Sequence, residues 1–115
     1  MLDVGVIVGL RELAESAGGE FLGELVALYI ADASGLIGDL HRAVDAGDVQ
    51  RAAGIAHTLE GSSANLGACA LAALCAALTS LCRSGDVTGA RALVDIIDRE
   101  FERVEPAVRA LPEPR

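Results

Sequence analysis

No lysine and no tryptophan occur among these 115 residues, and aromatic side chains make up only 3%. The formal net charge is −8. A chain without a basic patch lacks the electrostatic footprint for nucleic acid or an anionic membrane, so neither is an expected partner. The cysteines number 3, and an odd count argues against a closed disulfide framework. Cys75 and Cys82 fall on one expected helix, about 10 Å apart along its axis, too far for a bridge. The three thiols read as small buried hydrophobes. The histidines, His41 and His57, show no zinc-ligand spacing. No apolar run reaches the length of a membrane span. The start, Met1-Leu2-Asp3-Val4, lacks the basic residues that open a secretory signal. No glycine-rich nucleotide loop is present, so ATP is not an expected donor. A cytoplasmic location is expected.

What the chain has is aliphatic bulk: 52% of it is hydrophobic. With few rings available, Leu, Ala, Val and Ile must do the packing, which favours helices in close contact. The length suits one domain with a real core. Five helical stretches follow from the spacing. The first covers roughly Asp3 to Ala17 and stops at Gly18-Gly19. The second runs from about Glu20 to Ala46, with Leu22, Val26, Tyr29, Ala33, Ile37, Leu40 and Val44 on one side. Ser34-Gly35 and Gly38 are candidate bends in it. Gly47 closes it and Asp48 caps the third, which spans about Val49 to Leu66. The fourth runs from about Ala68 to Ser84, with Leu71, Leu74, Cys75, Leu78 and Leu81 inward. Gly85-Asp86 repeats the stop and cap. The fifth starts near Val87 and turns Ala90, Leu93, Ile97, Phe101, Val104 and Val108 inward. Pro106 lacks a backbone donor, so a break or kink is expected near Glu105.

Short loops between long amphipathic helices force antiparallel neighbours. The expected fold is all-α, an antiparallel up-and-down four-helix bundle over residues 20–111. An N-terminal lid helix (1–19) covers one end, and 112–115 form a frayed tail.

The third helix carries the most informative stretch. Ala52, Ile55, Ala56, Leu59, Ser63 and Leu66 share its inward side. Gln50, Gly54, His57, Gly61 and Ala64 share the opposite side, where a surface helix usually carries long charged residues. Each glycine inside the helix costs about 1 kcal/mol against alanine. Either another backbone approaches His57 closely, or the small residues mark tight packing against another helix of the bundle. Ser62 and Ser63 are expected to bond back to their own helix backbone, and Asn65 to help finish it. His41 has no motif around it.

The run His57-Thr58-Leu59-Glu60-Gly61-Ser62-Ser63-Ala64-Asn65-Leu66-Gly67 resembles the signature of histidine-containing phosphotransfer domains. The typical pattern of that family is His-Thr-Leu-Lys-Gly-Ser-Ser-x-x-Leu-Gly. Ala43, Gly47 and Asp48 match the Ala-x-x-x-Gly-Asp commonly found upstream, and Phe21 to Val26 resembles the usual start of the second helix. The resemblance implies a phosphocarrier of two-component relays. His57 would accept a phosphoryl group from an aspartyl phosphate on one receiver domain and pass it to another. It implies receiver domains of response regulators or a hybrid sensor kinase as partners, and a monomer that is neither a kinase nor a hydrolase. Magnesium belongs on the partner, and no cofactor is expected here. Gly61 would leave room for the receiver to dock.

A neutral imidazole is a fit nucleophile for phosphorus, with a reference pKa of about 6.5. It needs in-line access, which Gly54, Gly61 and Ala64 provide. Glu60 departs from the pattern, because the family usually places lysine there to steady phosphate oxygens. A carboxylate repels an incoming phosphoryl group, although solvent and salt mute this at an exposed site. Arg83, or else Arg42, is the arginine expected to compensate. Glu60 also motivates an alternative, a receiver-docking module that takes up little phosphate. A plain structural bundle that dimerises is a third possibility.

Overall fold

The computed structural model describes residues 2–17 and 19–111, with the backbone alone for Leu13, Ala14, Ser16, Ala17 and Gly19. Five helices follow one another: α1 (Val4–Ala17), α2 (Gly19–Asp45), α3 (Val49–Asn65), α4 (Cys69–Arg83) and α5 (Val87–Arg109). Helices α2 to α5 form the bundle. Each packs on its chain neighbour, and α5 closes back onto α2. The particle is elongated, 45 × 21 × 19 Å. The expected tail, residues 112–115, lies outside the described residues.

Three turns share one construction. Gly47, Gly67 and Gly85 take φ of 73°, 79° and 80°, the left-handed conformation that ends a helix. In each, the amide after the glycine bonds back to a carbonyl of the last turn: Asp48 to Ala43, Ala68 to Ser63 and Asp86 to Leu81. Two of the turns then start the next helix with an aspartate. Asp48 accepts from the Arg51 amide at 3.1 Å, and Asp86 from the Gly89 amide at 2.8 Å. These satisfied ends hold the helices to fixed lengths, so neighbouring faces stay in register.

The expected apolar stripes form the core, except that Leu74 and Leu93 are only partly buried and Leu81 stays at its margin. Leu40, Leu59, Leu71, Leu78, Val94 and Ile97 are fully buried, and Ala33, Ala52, Ala56 and Ala90 let the helices approach closely. Ser34, Gly35 and Gly38 do not interrupt α2. Within residues 20–45, α2 holds an 18-residue window of mean hydropathy 1.5, long and apolar enough to cross a membrane, contrary to the expectation of no such run. Its stripe from Leu22 to Val44 is buried against the other helices, while Phe21 and Leu28 stay exposed.

The expected break near Glu105 does not occur, since α5 continues through Pro106 to Arg109. The lost bond would go to the carbonyl of Glu102, and both residues are exposed, so water can solvate that carbonyl. Val104, Val108 and Leu111 are buried on either side and hold the segment to the core.

Helix α1 packs on α2. Its start is pinned at the α3–α4 turn, where the Asp3 amide donates to the Gly67 carbonyl at 2.6 Å and Leu2 bridges to Ala68. Cβ at position 67 would lie 3.1 Å from the Asp3 nitrogen, a tight contact that adds to the strain a side chain meets at the positive φ. Asp3 also caps α1 through the Val6 amide at 3.2 Å.

Candidate functional site

His57 stands near the middle of α3, the helix held at one end by the Asp48 cap and at the other by the Gly67 turn. Beneath it, Ala56, Leu59 and Ser63 are fully buried and fix the helix against the bundle. The imidazole itself is 75% exposed. Gln50, Gly54, Gly61 and Ala64 are exposed on the same side.

A Cβ added at Gly54 or Gly61 would meet nothing within 4 Å. Neither glycine is therefore needed for packing, and the reading of this side as a helix-packing face is corrected. The bundle helices lie against the other side of α3. What the glycines produce is a smooth, open surface around the imidazole, and it costs about 1 kcal/mol of helix stability at each position.

The hydroxyls around His57 point elsewhere. Thr58 donates to the Gly54 carbonyl at 3.1 Å and Ser62 to the Leu59 carbonyl at 3.2 Å. Ser63 departs from the expectation of a backbone bond. Its hydroxyl is paired with that of Tyr29 on α2 at 2.8 Å, inside the core. Burial raises the Tyr29 phenol above its ordinary range, and the Ser63 bond partly opposes this. Asn65 is the last residue of α3, as expected.

Glu60 lies one turn along from the histidine, with its Oε1 3.8 Å from His57 Nδ1. The carboxylate is partly buried, and its charge also acts on Cys75 of α4. Burial first, and Glu60 second, push the Cys75 thiol up to about 12. Cys75 and Cys82 are buried as expected, whereas Cys69 is exposed and donates to Asp3 Oδ2 at 3.7 Å.

Arg83 is exposed and lines a groove between α3 and α4 with Gln50, Ala53 and Gly54. It thus shares a surface with Gly54. Arg42, the alternative arginine, pairs with Asp39 on its own helix. Among the described residues, the ion pair His57 makes is with Glu60. On the other flank, a groove between α2 and α3 brings Asp32 and Asp39 beside Thr58 and Ser62. Sequence reasoning missed this acidic edge, although Asp32 adjoins the buried Ala33 and so had to border a neighbouring helix. His41, read as incidental, meets Asp98 of α5 at 3.2 Å, remote in sequence from the α3 motif. Among the described residues no three His, Cys, Asp or Glu side chains gather to hold a metal.

The model of the Hpt domain family matches residues 24–107. The chain belongs to the Hpt domain family. This Hpt domain is 34% identical over 82 residues to histidine-containing phosphotransfer protein 4 of Arabidopsis thaliana, covering 70% of this chain and 65% of that protein. It is 25% identical over 99 residues to histidine-containing phosphotransfer protein 2 of the same plant, covering 84% and 64% respectively. This Hpt domain therefore spans a little under two thirds of the length of these relatives. The crystal structure of histidine-containing phosphotransfer protein B (HptB) from Pseudomonas aeruginosa PAO1 superposes with a TM-score of 0.88 at 32% identity, over 97% of this chain and 94% of that one.

Proposed function

We propose that this Hpt domain is a phosphocarrier in which His57 takes a phosphoryl group from an aspartyl phosphate on a receiver domain and hands it to another receiver. The observation that carries the reading is the 75% exposed imidazole on a rigid, cleared helix face. The nucleophile is presented on a fixed element, so little orientation is lost when a partner docks. In the first step an imidazole nitrogen forms a bond to phosphorus. The bond from phosphorus to the aspartyl oxygen breaks, and the carboxylate leaves with the electron pair. The second step reverses these roles with a new carboxylate as nucleophile. Phosphoryl transfer of this kind asks the carrier mainly for position. The receiver supplies its own acidic pocket and magnesium, and the domain itself needs no cofactor.

Gly54, Gly61 and Ala64 serve as docking surface, and Arg83 borders it on the α4 side. The domain acts as a monomer in the cytoplasm, carries phosphate stoichiometrically, and neither hydrolyses ATP nor phosphorylates itself from it.

Glu60 beside the ring favours one second reading, a module that docks receivers without relaying phosphate. The two separate in a labelled relay, with a phosphorylated receiver, this domain and a second receiver. The carrier reading expects label to reach the second receiver only through the domain, and to stop with His57→Gln. The docking reading expects receiver binding that survives His57→Ala, with no transfer in the wild type.

A further inference from the structure

Leu25, Leu28, Asp32, Gly35 and Asp39 form a row along α2 at helical steps of three and four. Two grooves open between this row and α3, and Asp32 and Ser62 line both of them. One carries Gly35, Asp39 and Thr58, the residue that follows His57. The other holds about 410 Å³ and is walled by Leu10 of α1, Leu25 and Leu28 of α2, and Leu66 of α3. Leu28 keeps 59% of its surface in water at the edge of this apolar groove. A Cβ at Gly35 would meet nothing within 4 Å, so packing does not demand glycine there. The cleared space lies one turn from Asp32.

The two aspartates of the row are not equivalent. Asp39 is paired with Arg42 on its own helix. Asp32 is exposed and, among the described residues, makes no ion pair. A carboxylate beside an exposed leucine at an apolar groove is complementary to a surface that offers an apolar side chain flanked by a lysine or arginine. The grooves join the His57 side of α3 through Thr58 and Ser62, so a protein lying across the imidazole reaches them. We propose that Leu28 and Asp32 select among receiver domains: the groove seats an apolar side chain of the partner, and Asp32 pairs with a basic residue beside it. The inference rests on the phosphocarrier reading, which makes the occupant a receiver.

The two residues contribute differently. Burying Leu28 against a partner removes apolar surface from water and supplies affinity. A charge at the rim adds less affinity, but it speeds encounter with a basic partner and penalises one that brings a carboxylate to the same place. Receivers that share the phosphoryl chemistry are thereby told apart by what surrounds it. Helix α1 takes part as well, because Leu10 forms one wall and Asp3 seats the start of that helix on the Gly67 carbonyl. Leu28 and Asp32 act on docking and not on the transfer step, so their loss raises KM and leaves the saturated rate alone.

The test uses a panel of isolated receiver domains, unphosphorylated in calorimetric titrations and phosphorylated in transfer assays. For receivers that bind the wild type, Asp32→Lys should weaken binding about tenfold and Leu28→Ser about fivefold. Asp32→Asn, which keeps the shape and loses the charge, should cost about threefold. Glu102→Lys, exposed on α5 across the bundle from α3, makes the same change in net charge and should stay within about twofold of wild type. KM for transfer should rise in step with Kd while the rate at saturating receiver holds. Lysines and arginines of the receiver changed singly to glutamate should include one that restores binding to Asp32→Lys. Affinities of Asp32→Lys and Leu28→Ser that match the wild type, or losses that Glu102→Lys reproduces in full, overturn the proposal, and the phosphocarrier reading survives if transfer persists. Binding that depends on Leu28 and Asp32 while His57 stays unmodified upholds the surface and overturns the carrier reading. A wild type that binds no receiver overturns both.

Discussion

Tyr29 of α2 and Ser63 of α3 join their hydroxyls at 2.8 Å in the core of the bundle, and Ser63 has no exposed surface. The bond ties the helix that carries His57 to its longest neighbour, on the side of α3 turned away from solvent. The Tyr29 ring also meets Phe101 of α5 edge to face, with centroids 6.4 Å apart, so one side chain links three helices. Tyr29→Phe keeps the ring contact and leaves the Ser63 hydroxyl buried without a partner. It should destabilise the fold by about 1–3 kcal/mol in urea denaturation. Adding Ser63→Ala removes the orphaned group and should recover most of that loss. A double variant as unstable as the sum of the two singles would show that the hydroxyls are not coupled.

The glycines around His57 separate stability from docking. Neither Gly54 nor Gly61 would bring a Cβ within 4 Å of a neighbour. Gly54→Ala and Gly61→Ala should each raise stability by about 1 kcal/mol, the ordinary gain of alanine within a helix. A longer side chain such as Gly61→Gln should fold as well, yet slow phosphoryl uptake from a receiver by about tenfold or more, because it fills the approach to the ring. Gly67→Ala should behave in the opposite way. With φ of 79° and Asp3 against it, it should lose about 1–2 kcal/mol of stability. Thermal denaturation of the set, alongside transfer rates, checks both halves.

Alkali should weaken the fold through Cys75. Burial, helped by the Glu60 carboxylate, pushes this thiol up from 9.0 to about 12. A folded state that holds the proton more tightly than the unfolded chain gains stability that is complete below the unfolded value. That stability is lost as pH rises towards the folded value. The decline should therefore begin near pH 9 and continue towards about 12. The raised Tyr29 phenol adds to it above its ordinary 10.0. Urea midpoints measured between about pH 8.5 and about pH 11 should fall, and should fall less steeply in Cys75→Ala. A flat profile in the wild type would contradict the account.

Much of this was legible in the sequence, for reasons visible at particular residues. The Gly-Asp pairs at 47–48 and 85–86 encode a helix stop and a cap in adjacent positions, and both form as read. The stripe from Leu22 to Val44 and the two sides of α3 follow from helical spacing, which burial then enforces. Local rules failed where tertiary contacts decide. Pro106 should end a helix by its own chemistry, but buried valines on either side carry α5 past it. Ser63 was expected to serve its own backbone, and the phenol that engages it belongs to another helix. The motif placed Glu60 near His57, but not which ring nitrogen it faces, since that depends on side-chain torsions that spacing does not specify.

His57 is exposed and packs into nothing, so replacing it should leave stability within about 0.5 kcal/mol of wild type. His57→Gln is thus a clean test of chemistry without a change of fold. Equal urea midpoints for the two proteins would establish this, and a marked loss would show that the ring is structural.

The central claim is that this imidazole receives phosphate from an aspartyl phosphate. Its most direct test is tandem mass spectrometry of the domain after incubation with phosphorylated receivers, under conditions that preserve acid-labile groups. The account predicts one phosphoryl group, located on His57 and absent from His57→Gln. A folded wild-type domain that stays unmodified across a panel of receivers, or that carries the group on another residue, would contradict it.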